Sequence, residues 1–269
     1  MSTFIGDSYD RTAGRYDDAA RHNAQGGARL IGALPDLDVE SLLDAGCGTG
    51  FASLCAIERF GARKVIGVDL SAEMVARFHQ KLRQRGIESD LRVGDITRID
   101  LPLEAVDLAI CSMALHWIED RAGAVAAMSG ALRPGGYLAL LAPGPEHDRE
   151  YVDLISRLDP PIHPAIYEAF ARAAIPIEEI EAYVEAAGLE TVDVWTETRK
   201  RRVAAERYIA RMTAVGSHVT AEVMSREDEE KTFAHIQQAV QAASGPRGFE
   251  YTFTKTFAVA RKPGPAPVA

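Results

Sequence analysis

Four places in the chain gather residues that can do chemistry. The first is Asp44-Ala-Gly-Cys-Gly-Thr-Gly, where Gly46, Gly48 and Gly50 alternate behind a carboxylate. Glycines at that density let the main chain turn tightly and let a ligand lie against bare backbone. A helical pattern starts at once, so the amides of its first turn point into the same crevice. The second place is Asp69, which closes the apolar run Lys64-Val-Ile-Gly-Val-Asp-Leu, 25 residues after Asp44. A carboxylate at the end of a buried strand can accept two hydrogen bonds from a ribose diol. The ordinary alternative is an acid favoured at a helix N-terminus, but Ser71 already suits that cap, so diol recognition is preferred. The third is Gly94-Asp95-Ile96, a carboxylate and an apolar side chain just past another short strand. The fourth is Ser112-Met-Ala-Leu-His-Trp. His116 there can orient a substrate or take its proton, and orienting is the preferred reading. Trp117 reads as wall.

These residues need a scaffold of alternating strands and helices. Leu54, Ile57 and Phe60 predict the inward face of the helix after the glycines, and Gly61 ends it. Met74, Phe78 and Leu82 form the stripe of the next helix, and Gly86 stops it. Met74 opens that stripe beside Asp69, where core packing and ligand contact are equally good readings. Val106 to Cys111 is a fourth strand, and Leu132-Arg-Pro-Gly-Gly is a turn into a fifth. Two amphipathic stretches, around 147–158 and 164–174, then interrupt the strand rhythm and read as a helical insertion over the crevice. Residues 178–187 are a helix, and 191–198 alternate as a strand. Arg199-Lys-Arg-Arg is a basic run whose ordinary explanation is a solvated strand end. On an acidic protein it can also steer an anionic substrate or an acidic carrier protein. Residues 204–214 are helical, with Arg207 and Arg211 on one face beside Tyr208, and 250–261 alternate as a final strand.

Composition excludes several classes. The 269 residues are 47% hydrophobic and 26% charged, enough for an ordinary α/β core. A net charge of −9 argues against a nucleic-acid binder. Three cysteines, Cys47, Cys55 and Cys111, without a C-x-x-C pair suggest a reducing compartment with no disulfide framework, and no metal is expected. No basic-then-apolar leader and no run of membrane-span length is visible, so a cytoplasmic chain with no membrane partner is expected. The tail from residue 263 is expected to be disordered.

The glycine spacing then narrows the ligand. A dinucleotide fingerprint places a third glycine where Phe51 stands, and a P-loop requires a Gly-Lys-Ser/Thr ending that is missing. A nicotinamide dehydrogenase is therefore the less favoured rival. Asp-x-Gly-x-Gly-x-Gly, with residues 65–70, 94–97, 106–117 and 132–140 in order, resembles the class I S-adenosylmethionine-dependent methyltransferases. The resemblance is greatest to small-molecule enzymes like those for trans-aconitate and malonyl carrier protein, which more often carry Gln where His116 stands. It implies an α/β fold, a doubly wound, mostly parallel sheet of seven strands in the order 3-2-1-4-5-7-6. Residues 1–262 would be one domain, with an N-terminal cap over 1–34, a helical insertion over 143–176 and substrate-roof helices over 203–245. It implies S-adenosylmethionine at Tyr16, Asp44, Gly46, Gly48, Gly50, Asp69, Leu70, Met74, Asp95, Ile96 and Ser112, with Asp95 and Ile96 on the adenine. Tyr9, Arg11, Trp117, Tyr208, Arg211 and His218 would face a small-molecule acceptor, methylated on a carboxylate or hydroxyl oxygen. N- or C-methylation, and a non-methylating protein on the same scaffold, stay open at this point.

Overall fold

The structure is a computed structural model that describes residues 21–98, 100–213 and 224–264. Its centre is a run of parallel strands: Ser41–Ala45 (β1), Lys64–Asp69 (β2), Glu88–Val93 (β3), Val106–Ser112 (β4) and Leu132–Pro143 (β5). Helices connect them: Phe51–Phe60 (α2), Ala72–Gln84 (α3) and Arg121–Ala131 (α4), with Arg21–Ala33 (α1) ahead of the sheet. Arg149–Ile155 (α5), Pro164–Arg172 (α6) and Ile177–Ala186 (α7) follow β5. Then come Glu190–Val203 (β6), a helix over 205–213 (α8), Arg226–Ala243 (α9) and Phe249–Arg261 (β7). The strand order is β3-β2-β1-β4-β5-β7-β6, the expected one, with β7 antiparallel to both neighbours.

Local chemistry explains the element ends. Ser71 caps α3 by accepting from the Met74 amide at 3.1 Å, and Gly61 closes α2 in the left-handed region at φ 75°. The stripe Met74, Phe78 and Leu82 is buried as expected, each side chain contributing about 1.5–3 kcal/mol of apolar burial. The inward face of α2 differs from the expectation. Ala52, Ser53 and Ala56 face the sheet, while Leu54, Ile57 and Phe60 are only partly buried. Small residues let this helix lie close to β1 and β4, and the larger ones fill its flanks.

The core has three parts. One lies under α4 and α7, and one under α1, α2 and α3. The third is built away from the parallel strands. β5 pairs with β7 only over Pro143↔Lys255 to Tyr137↔Arg261, whereas β6 continues to Val203↔Phe249. The two antiparallel strands therefore run on past the sheet as an arm, and α5, α6, α8 and α9 pack on it through Tyr151, Phe170, Tyr208, Ile236 and Phe253. This arm starts at the carboxyl edge of the parallel strands, where open α/β sheets bind ligands. Among the described residues, no helix is long and apolar enough to cross a membrane.

Candidate active site

The crevice at the carboxyl edge is lined first by the glycine loop. Its three glycines do three different jobs. A Cβ on Gly46 would stand 2.2 Å from the Ala114 Cβ, so the loop lies directly against the exit of β4. A Cβ on Gly50 would stand 1.9 Å from the Phe78 ring, so this glycine admits α3. A Cβ on Gly48, at φ 51°, would meet nothing within 4 Å among the described residues. Of the three, Gly48 alone has room for a side chain among the described residues. The loop amides are largely spent on the fold: Gly46 and Cys47 donate to the Val68 carbonyl, and Gly50 donates to the Cys47 carbonyl.

Asp69 ties the first and second strand ends together. Its Oδ2 accepts from the Gly48 amide at 2.7 Å and its Oδ1 from the Ser71 amide at 2.9 Å. Asp44 sits behind the loop, 1% exposed, and accepts from the Ser53 hydroxyl at 2.6 Å. Burial pushes its pKa up to about 7, with the Asp69 charge adding to the rise and the Ser53 hydrogen bond opposing it. Leu70 is partly buried between Asp69 and the Ser71 cap, and Met74 is buried under that turn. Past β3, the Asp95 Oδ1 accepts from the amide and hydroxyl of Thr97, at 3.0 and 2.8 Å. This fixes a turn that buries Ile96 in the core beside Val68.

The exit of β4 supplies the opposite wall. Ser112 ends the strand half-buried, and Met113 follows in the left-handed region at φ 59°, its amide bonded to the Leu141 carbonyl at 2.7 Å. A long side chain held at positive φ stores strain, and such strain collects at functional sites. The turn carries Leu115–Trp117 as one turn of 3-10 helix, with the His116 and Trp117 rings 4.5 Å apart. Both rings are partly exposed.

The roof residues are placed otherwise than open substrate contacts would be. Tyr208 is 1% exposed and gives its hydroxyl to Asp148 Oδ1 at 2.9 Å. Arg211 donates to the same oxygen at 2.6 Å, and the His147 Nε2 lies 3.4 Å from Asp148 Oδ2. Burial would raise the Asp148 pKa, but Arg211 and His147 outweigh it and hold the carboxylate below its usual range. Tyr208 is thus a strut of the third core. Arg207, on the same helix, is exposed. Tyr9, Arg11, Tyr16 and His218 lie outside the described residues. The basic run divides by strand alternation. Lys200 and Arg202 meet Glu250 at 3.8 and 2.5 Å, and Arg199 meets Glu197 at 3.4 Å, while Arg201 lies on the Phe253 ring. Among the described residues, no cluster of three or more His, Cys, Asp or Glu side chains stands ready to hold a metal ion.

The fold, with its seven-stranded order and glycine crevice at the carboxyl edge, is that of the class I methyltransferases. Residues 43–140 match a family profile described as a methyltransferase domain. The malonyl-[acyl-carrier protein] O-methyltransferase of Dechloromonas aromatica (strain RCB) is 29% identical over 265 residues, 96% of this chain and 94% of that protein. The trans-aconitate 2-methyltransferase of Azoarcus sp. (strain BH72) is 28% identical over 224 residues, 81% of this chain and 84% of that one. Among solved structures, the [4+2]-cyclase SpnF is similar with a TM-score of 0.62 at 19% identity, over 98% of this chain and 97% of that chain, a likeness of fold. The chain carries a methyltransferase domain over residues 43–140.

The residues present fit S-adenosylmethionine. Gly48 opens a cradle that a Cβ would enter, the Asp69 carboxylate borders it through the Gly48 amide, and Asp95 stands past the neighbouring strand. The sequence reading missed the pair Gly26-Gly27. Two glycines inside a helix cost about 1 kcal/mol each relative to alanine, which signals a packing reason. The reason is close approach. Gly26 lies against Leu141 and Lys255, and Gly27 against Phe51 and Ala52.

Proposed function

We propose that this chain converts a carboxylate of a small organic acid into its methyl ester. When bound, S-adenosylmethionine supplies a methyl group already activated on a sulfonium. The chain's own residues therefore supply position and a dry crevice. In this reading Asp69 holds the ribose diol, Gly46, Gly48 and Gly50 give the close backbone approach, and Asp95 with Ile96 receives the adenine. Asp44, Leu70, Met74 and Ser112 shape the rest of that half, with Tyr16 closing over it. His116 and Trp117 form the acceptor wall, with Tyr9, Arg11 and His218 as further acceptor contacts. A carboxylate nucleophile is already ionised at neutral pH, so His116 need only orient it.

One observation carries the choice of acid. Past the carboxyl end of β5, Arg201, Arg211 and Lys255 lie over the aromatic rings of the arm and make that end of the molecule cationic. The two named relatives, which act on malonyl and trans-aconitate groups by their own names, agree with it. The test is methyl transfer from labelled S-adenosylmethionine to panels of acids, phenols and amines. A methyl ester releases its label as volatile methanol in mild base, whereas ethers and methylamines keep it. Base-labile label on acids supports the reading. Label found only on phenols or amines overturns it.

A further inference from the structure

Arg121 is the first residue of α4, next to the cap that Asp120 makes by accepting from the Gly123 amide at 2.8 Å. The first turn of a helix favours acids, and α4 has none there. A cation at that place opposes the helix dipole, so its reason lies outside the helix. The side chain is 16% exposed and reaches three other elements. Its Nη1 donates to Glu179 Oε1 of α7 at 2.8 Å, and the same oxygen accepts from the Tyr183 hydroxyl. Its Nη2 donates to the carbonyl of Arg172, the last residue of α6, at 2.8 Å. The same Nη2 makes a longer contact, 3.4 Å, with the His116 carbonyl.

These contacts answer what the local chain leaves open. The Arg172 carbonyl ends a helix, where carbonyls lack intrahelical partners and the dipole favours a cation. In the 3-10 turn, the Trp117 amide uses the Ala114 carbonyl at 2.9 Å and the Ile118 amide uses the Leu115 carbonyl at 3.1 Å. The His116 carbonyl comes next and turns to Arg121. The chain leaving α6 is fixed on its other side as well. The Ile175 amide donates to the Pro143 carbonyl at 2.8 Å, and the Thr256 hydroxyl donates to the Ile175 carbonyl at 2.9 Å. The segment between α6 and α7 is therefore held to the carboxyl end of β5, and Arg121 ties its start to the turn that carries His116 and Trp117.

We propose that Arg121 is a positioning residue that clamps the His116–Trp117 turn to the segment between α6 and α7 and so sets where the acceptor wall stands. The proposal rests on the reading of that turn as acceptor wall and names the group that holds it. A guanidinium suits the task because its planar fork offers separate N–H groups to a carboxylate and to carbonyls at fixed angles. Lysine in its place keeps the charge but offers one nitrogen on a flexible stem. The hydrogen bonds of the glycine loop go instead to Val68, Cys47 and Asp69, so the cofactor half does not hang on this clamp.

The test has an optical and a kinetic part, both on the full chain. The chain has two tryptophans, Trp117 in the turn and Trp195 stacked on Phe257. Trp195→Phe leaves Trp117 as the reporter. Acrylamide quenching of its fluorescence is measured well below the melting temperature, alone and with Arg121→Met or Arg121→Lys added. Arg121→Met should raise the quenching constant about twofold or more, because a released turn opens its ring to solvent. Arg121→Lys should follow Arg121→Met rather than wild type. The kinetic acceptor is the member of the acid, phenol and amine panel, malonate and trans-aconitate included, that the wild-type chain methylates fastest. Its KM should rise about fivefold or more in both variants, while S-adenosylhomocysteine affinity stays within about twofold of wild type. Unchanged quenching overturns the clamp. Raised quenching with an unchanged acceptor KM overturns the positioning role, and so does an equal loss of S-adenosylhomocysteine affinity. Base-stable label on the acceptor would remove the methyl-ester reading and leave this inference to stand on its own two readouts.

Discussion

Asp69→Ala is the substitution whose effect the geometry states most fully. The wild-type carboxylate bridges the Gly48 amide at 2.7 Å and the Ser71 amide at 2.9 Å, so it holds the ligand-facing glycine to the end of β2. Hydrogen bonds to a charged group contribute about 1.5–3 kcal/mol each. Alanine removes both bridges and, in the proposed role, both ribose contacts as well. The bridge loss lowers the stability of the free protein, and the ribose loss lowers cofactor affinity further. Thermal melts of the free protein read the first effect, and titration calorimetry with S-adenosylhomocysteine reads the second. Affinity should fall at least tenfold, which is about 1.4 kcal/mol. Asp69→Asn keeps one acceptor oxygen and should fall between the two. A folded Asp69→Ala protein that binds S-adenosylhomocysteine within threefold of wild type would refute the ribose assignment, whatever its melting temperature.

The glycines should separate cleanly. Gly48→Ala meets open space at a positive φ, so it should cost only about 1–2 kcal/mol of stability while weakening S-adenosylhomocysteine binding severalfold or more. Gly50→Ala drives a methyl group into the Phe78 ring and should lower stability by about 3 kcal/mol or more in chemical denaturation; the reverse ranking would show that the loop is packed otherwise. His116→Gln should leave methyl-ester formation within about threefold of wild type, and a hundredfold loss of kcat on an acid would mark the ring as a base. Asp44 bears on pH and stability. Its folded pKa of about 7 lies above the usual 3.8, so folding disfavours its charged form. The resulting cost is absent below pH 4, grows by roughly 1.4 kcal/mol per unit between those values, and is complete above pH 7. Asp44→Asn should therefore stabilise the free protein relative to wild type at pH 8 and much less at pH 4. An equal effect at both would show that Asp44 ionises normally.

How far the sequence could be read depends on how local each feature is. The glycine loop, the Ser71 cap and Asp69 lie within a turn or two of one another along the chain, and their residue types dictate their conformations. The strand order came from the resemblance that the ordered motifs carry, since no local pattern states which strands lie side by side. The α2 face was misread because hydrophobicity marks large residues, while close approach to the sheet here requires Ala52, Ser53 and Ala56. Tyr208 looked like a substrate contact until Asp148, 60 residues away in sequence, took its hydroxyl. Lys255 was passed over inside an alternating strand, although a lysine on the aromatic face of Tyr251, Phe253 and Phe257 was a visible signal. Its companions come from β6 and α8, and no local pattern joins them. Gly26-Gly27 was likewise written in the sequence, but its meaning lies in what packs on it.

The most direct measurement is a crystal structure of the chain with S-adenosylhomocysteine bound. The account predicts both ribose hydroxyls within hydrogen-bond distance of the Asp69 carboxylate, the adenine beside Asp95 and Ile96, and the homocysteine against Gly48. Its sulfur should face His116 and the cationic arm. A ligand seated elsewhere, or a ribose turned away from Asp69, would contradict it.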